Sequence, residues 1–170
     1  MNSKKFLSPD ERSHLETTLR ERMLIDTRNA VMILTALYSG ARASELLALG
    51  WNDINISSGE IMLETLKHGR ERAVVVPKFV RDGLKRLKDL SPERPFDLSY
   101  NRLGEIWRLY RPVNKPFHSL RHSFAMRVYD KTKDIRFTQR ALGHRNIQNT
   151  MVYADYAYSA AEFKRIMRVR

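Results

Sequence analysis

The stretch Thr27 to Ser39, TRNAVMILTALYS, constrains the fold more than any other part of this 170-residue chain. Val31, Leu34, Ala36, Leu37 and Tyr38 are spaced to bury most of a helix's circumference, and Gly40 supplies a residue suited to ending it. A helix that is apolar on nearly every side has to sit inside the molecule, with other elements wrapped around it. Apolar runs such as Ala30 to Leu34 are far shorter than the roughly 20 residues that cross a bilayer. The length suits one core of this kind and is short for two, so residues 1–170 are expected to form a single domain.

The surrounding elements can be read from their punctuation. Ser8-Pro9-Asp10-Glu11 is a helix start, with Ser at the cap, Pro in the first turn and acids beside it, and it predicts a helix over Pro9–Arg22. Helical periodicity returns from Arg42 to Leu49, where Leu46, Leu47 and Leu49 turn to a core and Arg42 and Glu45 lie three apart on another face. A cation at a helix start is disfavoured by the macrodipole, which points to an external anion at Arg42; an ordinary Arg42–Glu45 surface pair is the alternative. Between Trp51 and Val76 the period becomes strand-like. Ile54 and Ile56 make a short strand, Ser57-Ser58-Gly59 a turn, Glu60–Thr65 a second strand and Ala73–Val76 a third. The tip Lys67-His68-Gly69-Arg70 is basic, and is either a probe for a DNA groove or a charged turn that blunts a sheet edge.

Helices then follow from Pro77 to about Leu90, from Ser99 to Tyr110, from His118 to Tyr129 and from Ile135 to Leu142, where Gly143 stops the chain. Asn146 caps a helix running to Tyr153 or slightly beyond, and Ser159–Arg168 forms a last amphipathic helix that docks on another subunit or on its own domain. The fold class expected is mainly α with a small three-stranded antiparallel β-sheet.

Composition bears on the partner. Lys and Arg number 31 against 19 Asp and Glu, a net charge of +12. Such an excess favours a polyanion, because each cation placed on a phosphate releases condensed counterions, and nucleic acid leads over anionic lipid or a merely solvated basic surface. The chain has no cysteine, which excludes disulfides, thiolate nucleophiles and Cys-based zinc sites. The start, MNSKKFLSPDERSHLETTL, has no apolar core of a signal peptide, and the expected location is cytoplasmic, with no membrane association.

The segment from Lys115 to Tyr158 gathers histidines, an arginine and several tyrosines. Attack on a phosphodiester requires a nucleophile, positive donors for the nonbridging oxygens and an acid for the leaving 5′ oxygen. The planar fork of arginine matches two phosphate oxygens, histidine moves protons near neutrality, and a tyrosine can attack without a metal when cations stabilise its phenolate. His118 and His122, four apart, have the spacing of a metal pair, yet no further ligand set accompanies them; no metal is expected, and His122 reads as a packing or supporting group.

Three strings carry a resemblance. SGARASELLAL around Arg42, HSLRHSFA around Arg121 and LGHRNIQNTMVY ending at Tyr153 resemble the three catalytic boxes of the tyrosine recombinases, or phage integrases, in the family's order. His144 follows Arg121 by 23 positions and Tyr153 follows His144 by nine. The resemblance covers nearly the whole chain as that family's catalytic domain, and it implies the tyrosine recombinase catalytic-domain fold. It implies that Arg42 and Arg121 clamp the scissile phosphate with Glu45 supporting them, that His118 acts in proton transfer at the nucleophile, and that His144 hydrogen-bonds a phosphate oxygen. By the same resemblance Lys67 protonates the leaving 5′ oxygen and Tyr153 forms a 3′-phosphotyrosyl link. Arg70, Arg72 and Arg145 are added as DNA contacts, and Tyr156 and Tyr158 as packing residues rather than competing nucleophiles. No cofactor, ATP or metal is implied.

The expected function is site-specific recombination of double-stranded DNA through a Holliday junction. The resemblance implies a homotetramer on paired sites, with the segment from Ser159 to Arg170 exchanged between subunits and a host DNA-bending or accessory factor as a further partner. A type IB topoisomerase-like relaxing enzyme and a non-catalytic DNA-binding module of the same fold are the alternatives. Most family members carry an amino-terminal core-binding domain that is missing here. The chain is either a fragment or a naturally short member similar to the fimbrial invertases, and Met1 favours the latter.

Overall fold

The computed structural model describes residues 5–64 and 71–157, together with Met167. Its elements are α1 (Pro9–Arg22), α2 (Thr27–Ser39), α3 (Ala43–Ala48), a 3₁₀ turn at Trp51–Asp53, β1 (Ile54–Asn55), β2 (Glu60–Leu63), β3 (Arg72–Val75), α4 (Lys78–Leu90), α5 (Tyr100–Tyr110), α6 (Ser119–Thr132), α7 (Ile135–Leu142) and α8 (Gln148–Ala157). It is the expected class, mainly helical with one three-stranded antiparallel sheet in the order β1-β2-β3.

Helix α2 is the axis of the core. Every residue from Ala30 to Leu37 is buried, and α1, α3, α4, α6 and β3 all pack on it. Each large apolar side chain enclosed in this way contributes about 1.5–3 kcal/mol, which is why a helix with no polar face is stable only here. Gly40 ends α2 with φ +64°, and the same left-handed ending recurs at Gly143 after α7, with φ +65°. Helix α1 begins as its sequence signals: the Ser8 hydroxyl accepts from the Glu11 N–H, and the Glu11 carboxylate accepts from the Ser8 N–H.

Several boundaries move. Strand β1 has only two residues and omits Ile56, because the Asn55 side-chain oxygen accepts from the N–H groups of Ser57 and Ser58 and draws the chain into a turn. Strand β3 starts at Arg72 and stops before Val76, whose N–H bonds instead to the Gly59 carbonyl. Strand β2 ends at Leu63; Thr65, like the tip from Lys67 to Arg70, lies outside the described residues. Arg42 and His118 each stand just before a helix rather than within it, and α6 continues one turn further than expected, to a left-handed Lys133. The expected last helix, Ser159–Arg168, also falls outside the described residues, Met167 excepted.

Register decides where one functional side chain goes. Leu63 pairs with Arg72 and Ile61 with Val74, so these four share the sheet face that turns to the core, while Ala73 and Val75 face out. The two-residue period of the strand therefore sends Arg72 inward, beneath α3.

Candidate active site

One carboxylate organises the site. Glu45 follows Arg42 by three residues and so returns to the head of α3, where its Oε2 accepts from the Arg42 N–H at 2.8 Å and its Oε1 from Arg42 Nη1 at 2.6 Å. From the sheet, Arg72 Nη2 reaches Oε2 at 2.8 Å and Nη1 reaches Oε1 at 3.3 Å. From α6, Arg121 Nη1 lies 3.7 Å from Oε2. This is no ordinary surface pair, since the side chain of Glu45 is 1% exposed. Burial alone would raise the Glu45 carboxyl, but the Arg72 hydrogen bond and charge, the Arg42 N–H and the charge of Arg121 outweigh it and bring the group down to about 2. Among the described residues, three guanidinium groups against one carboxylate leave positive charge in surplus, and an incoming anion would balance it.

Arg121 is itself only 1% exposed, and two of its donors are met by the ends of two helices. Nη1 donates to the carbonyl of Gly40 at 2.7 Å, and Nη2 to the carbonyl of Leu142 at 2.6 Å. These are carbonyls left unpaired at the C-terminal ends of α2 and α7, where the macrodipole also favours a cation. Burial, then the charges of Arg72 and Arg42, lowers Arg121 to about 9, still cationic at neutral pH. Arg72 is 6% exposed, and among the described residues its Nε has no hydrogen-bond partner. It was expected as a cation facing DNA; its position is internal, bound to Glu45.

His144 sits in the turn after Gly143. Gln139 fixes that turn by donating to the carbonyls of His144 and Arg145. The His144 Nδ1 lies 2.9 Å from the hydroxyl of Thr150, which is fully buried on α8. Burial, followed by Arg121, Arg42, Arg72 and His118, lowers His144 to about 4, so the ring is neutral at neutral pH. Beside it an open cavity of about 600 Å³ runs between β3 and α7, lined by Arg72, Phe137, Gln139, Arg140, Gly143 and His144. Arg145, the next residue in the turn, is exposed, whereas Lys67 and Arg70 lie outside the described residues.

Tyr153, on α8, is 2% exposed. Burial pushes its hydroxyl up to about 12 against the opposing charges of Arg121 and Arg42, which places the phenol within the field of both arginines. The hydroxyl is bonded to His122 Nδ1 at 2.8 Å. His118 is exposed at the head of α6; its ring stands edge-on to that of His122, with centroids 4.8 Å apart, and burial and the charges of Arg121 and Arg42 lower it despite Glu45. His122 is the residue that sequence reading underrated. Its position one helical turn beyond His118 was visible, but the arrival of Tyr153 from α8 was not.

With this geometry in place, comparison with known proteins is direct. A sequence model described as the phage integrase family matches residues 5–97 and 96–160. The chain belongs to that family. Among its relatives, the tyrosine recombinase XerA of Pyrococcus horikoshii is 32% identical over 138 residues, covering 72% of this chain and 48% of that protein. XerC of Histophilus somni is 32% identical over 146 residues, covering 76% and 49%. The chain spans about half the length of the curated relatives it matches. A crystal structure of XerA recombinase superposes with a TM-score of 0.73 at 25% identity, covering 97% of this chain and 65% of that one. The catalytic domain of bacteriophage HP1 integrase shares the fold, with a TM-score of 0.68 at 24% identity and coverage of 94% and 92%.

Proposed function

We propose that this chain is the catalytic part of a site-specific DNA recombinase that breaks and rejoins double-stranded DNA through a 3′-phosphotyrosyl intermediate. The observation that carries the reading is the meeting of Arg42 and Arg121, distant in sequence, on Glu45, with Tyr153 in the field of both. In the proposed reaction the two arginines hold the nonbridging oxygens of the scissile phosphate. His144 adds a donor: with Nδ1 accepting from the Thr150 hydroxyl, Nε2 carries the hydrogen and points it at a phosphate oxygen. Tyr153 Oη attacks phosphorus, the bond to the 5′ oxygen breaks, and Lys67 gives that oxygen a proton. His118, exposed against His122, is assigned to the solvent side of the same proton-transfer system.

The ester to Tyr153 keeps the energy of the broken bond, so a 5′-hydroxyl from a second duplex can reverse the step without ATP. Two such rounds would pass through a Holliday junction, which assigns the protein a homotetrameric assembly on paired sites. A host DNA-bending factor and direct DNA contacts from Arg70 and Arg145 belong to this reading. The solved XerH and Tn1549 integrase complexes contain DNA substrates, in keeping with duplex DNA as the partner.

The test uses a duplex enriched from a random-sequence library by binding to the protein, then nicked so that cleavage traps the product. Wild-type protein is expected to yield a covalent adduct and Tyr153→Phe none. Specific binding without an adduct would overturn the reading in favour of a DNA-binding module. Relaxation of plasmids lacking the selected sequence would indicate a topoisomerase.

A further inference from the structure

Resting on that function, we propose that His122 is a catalytic residue, which accepts the proton of the Tyr153 hydroxyl as the phenolic oxygen attacks phosphorus. The hydroxyl is 2.8 Å from His122 Nδ1, and Tyr153 is 2% exposed, so its proton has no open route to bulk water. The competing acceptor would be a nonbridging oxygen of the phosphate, a far weaker base than a neutral imidazole.

The surroundings keep His122 neutral. Burial lowers it first, and the basic groups that face it, His118 one turn before, Lys5 near the amino terminus and Arg121 on the same helix, lower it further, to about 4. Around neutrality the ring therefore holds one proton. With that proton on Nε2, Nδ1 is a vacant lone pair already bonded to the hydroxyl that must lose its hydrogen. A phenol held near 12 does not ionise beforehand. Its proton becomes acidic only as oxygen bonds to phosphorus, and at that stage an imidazole of modest basicity suffices.

The step balances. The Oη–H bond breaks and its proton joins Nδ1, the Oη–phosphorus bond forms, and the phosphorus–O5′ bond breaks with O5′ protonated by Lys67. Religation returns the proton from His122 to Tyr153. His118, whose ring is edge-on to His122, lies one position further from the reacting oxygen. The proton-transfer role expected of His118 is in this account carried by His122.

The experiment measures the single-turnover rate of adduct formation on the selected nicked duplex for wild type, His122→Ala and His122→Asn, with circular dichroism and duplex binding as controls. The asparagine oxygen can accept the hydroxyl hydrogen bond but cannot take a proton. Both variants are expected to fold and bind like wild type and to cleave on the order of 100-fold more slowly. Added imidazole is expected to restore much of the rate of His122→Ala. A substrate whose 5′ oxygen is replaced by sulfur, which leaves without protonation, is expected to leave the defect unchanged. Wild-type speed in His122→Asn would overturn the proposal by showing that only positioning matters, and faster cleavage by His122→Ala would overturn it by making the bond a restraint on the nucleophile. Rescue by the sulfur substrate would overturn it by moving His122 to the leaving-group side. Absence of adduct from wild type itself would be the distinct failure of the parent function.

Discussion

Helix α4 and the Glu45 cluster are both rich in cations, and they are built on opposite terms. On α4, Lys78, Lys85, Arg86 and Lys88 are exposed, and the one ion pair they make among the described residues, Lys78 with Asp82, joins side chains that are 76% and 56% exposed. Around Glu45, Arg72 and Arg121 have side chains only 4% and 1% exposed. Water screens the first set and each charge there is nearly independent, whereas the second set exists only because every charge is held by another group. Net charge therefore pointed to the kind of partner but not to where chemistry occurs. The site is marked by cations that the fold went to the expense of burying.

Removing the hub of the cluster should produce the largest effect. Glu45→Gln keeps the shape of the side chain and leaves three guanidinium groups without their shared negative charge. Breaking a buried pair in this way costs roughly 3–5 kcal/mol, to be read from urea unfolding. A loss below about 1 kcal/mol would place the cluster in the same class as α4.

Gly40→Ala tests the frame rather than the charges and ranks next. A Cβ at φ +64° is strained and would run into the Phe124 ring, and the same residue's carbonyl holds Arg121. The expected loss is about 2–4 kcal/mol from the left-handed strain and overpacking together. Adduct formation is expected to fall as well, because Arg121 loses a fixed support. A stable variant that cleaves normally would show that Arg121 does not depend on this helix end.

The interior charges should also give stability a particular pH dependence. Glu45 lies at about 2 in the folded protein against a usual 4.5, so its contribution is full above the unfolded value and drains away as pH falls towards 2. Wild type is thus expected to lose stability between about pH 4.5 and 2. Glu45→Gln should show a shallower loss over that window in denaturant titrations. Parallel curves would mean that Glu45 titrates normally.

What was legible in the sequence divides along a similar line. The limits of α1, α2 and α7 were readable because their signals are local: the Ser8–Glu11 box, and Gly40 and Gly143 in left-handed conformations. The catalytic boxes gave Arg42, Arg121, His144 and Tyr153 by resemblance. The relations between them were not readable, since Arg121 is held by carbonyls from α2 and α7, and His122 meets a hydroxyl from α8. Arg72 is an intermediate case. The alternation of Arg72, Val74 and Val76 marks an inward face, but the positive charge of Arg72 made an outward, DNA-facing reading attractive.

The smallest expected effect is on α4. Lys78→Ala removes a partner of Asp82 at a distance of 2.8 Å, closer than the contact of Arg121 with Glu45 at 3.7 Å. If distance alone ranked ion pairs, the surface pair would matter more. Solvation predicts the reverse, because each member regains water when the other is lost, and the change should stay within about 0.5 kcal/mol. Even that difference should shrink as salt is raised in the unfolding experiment, since exposed charges are screened over about 10 Å at 0.1 M. A salt-insensitive loss approaching that of Glu45→Gln would mean that Lys78 and Asp82 are held as rigidly as the interior cluster, and burial would no longer separate the two regions.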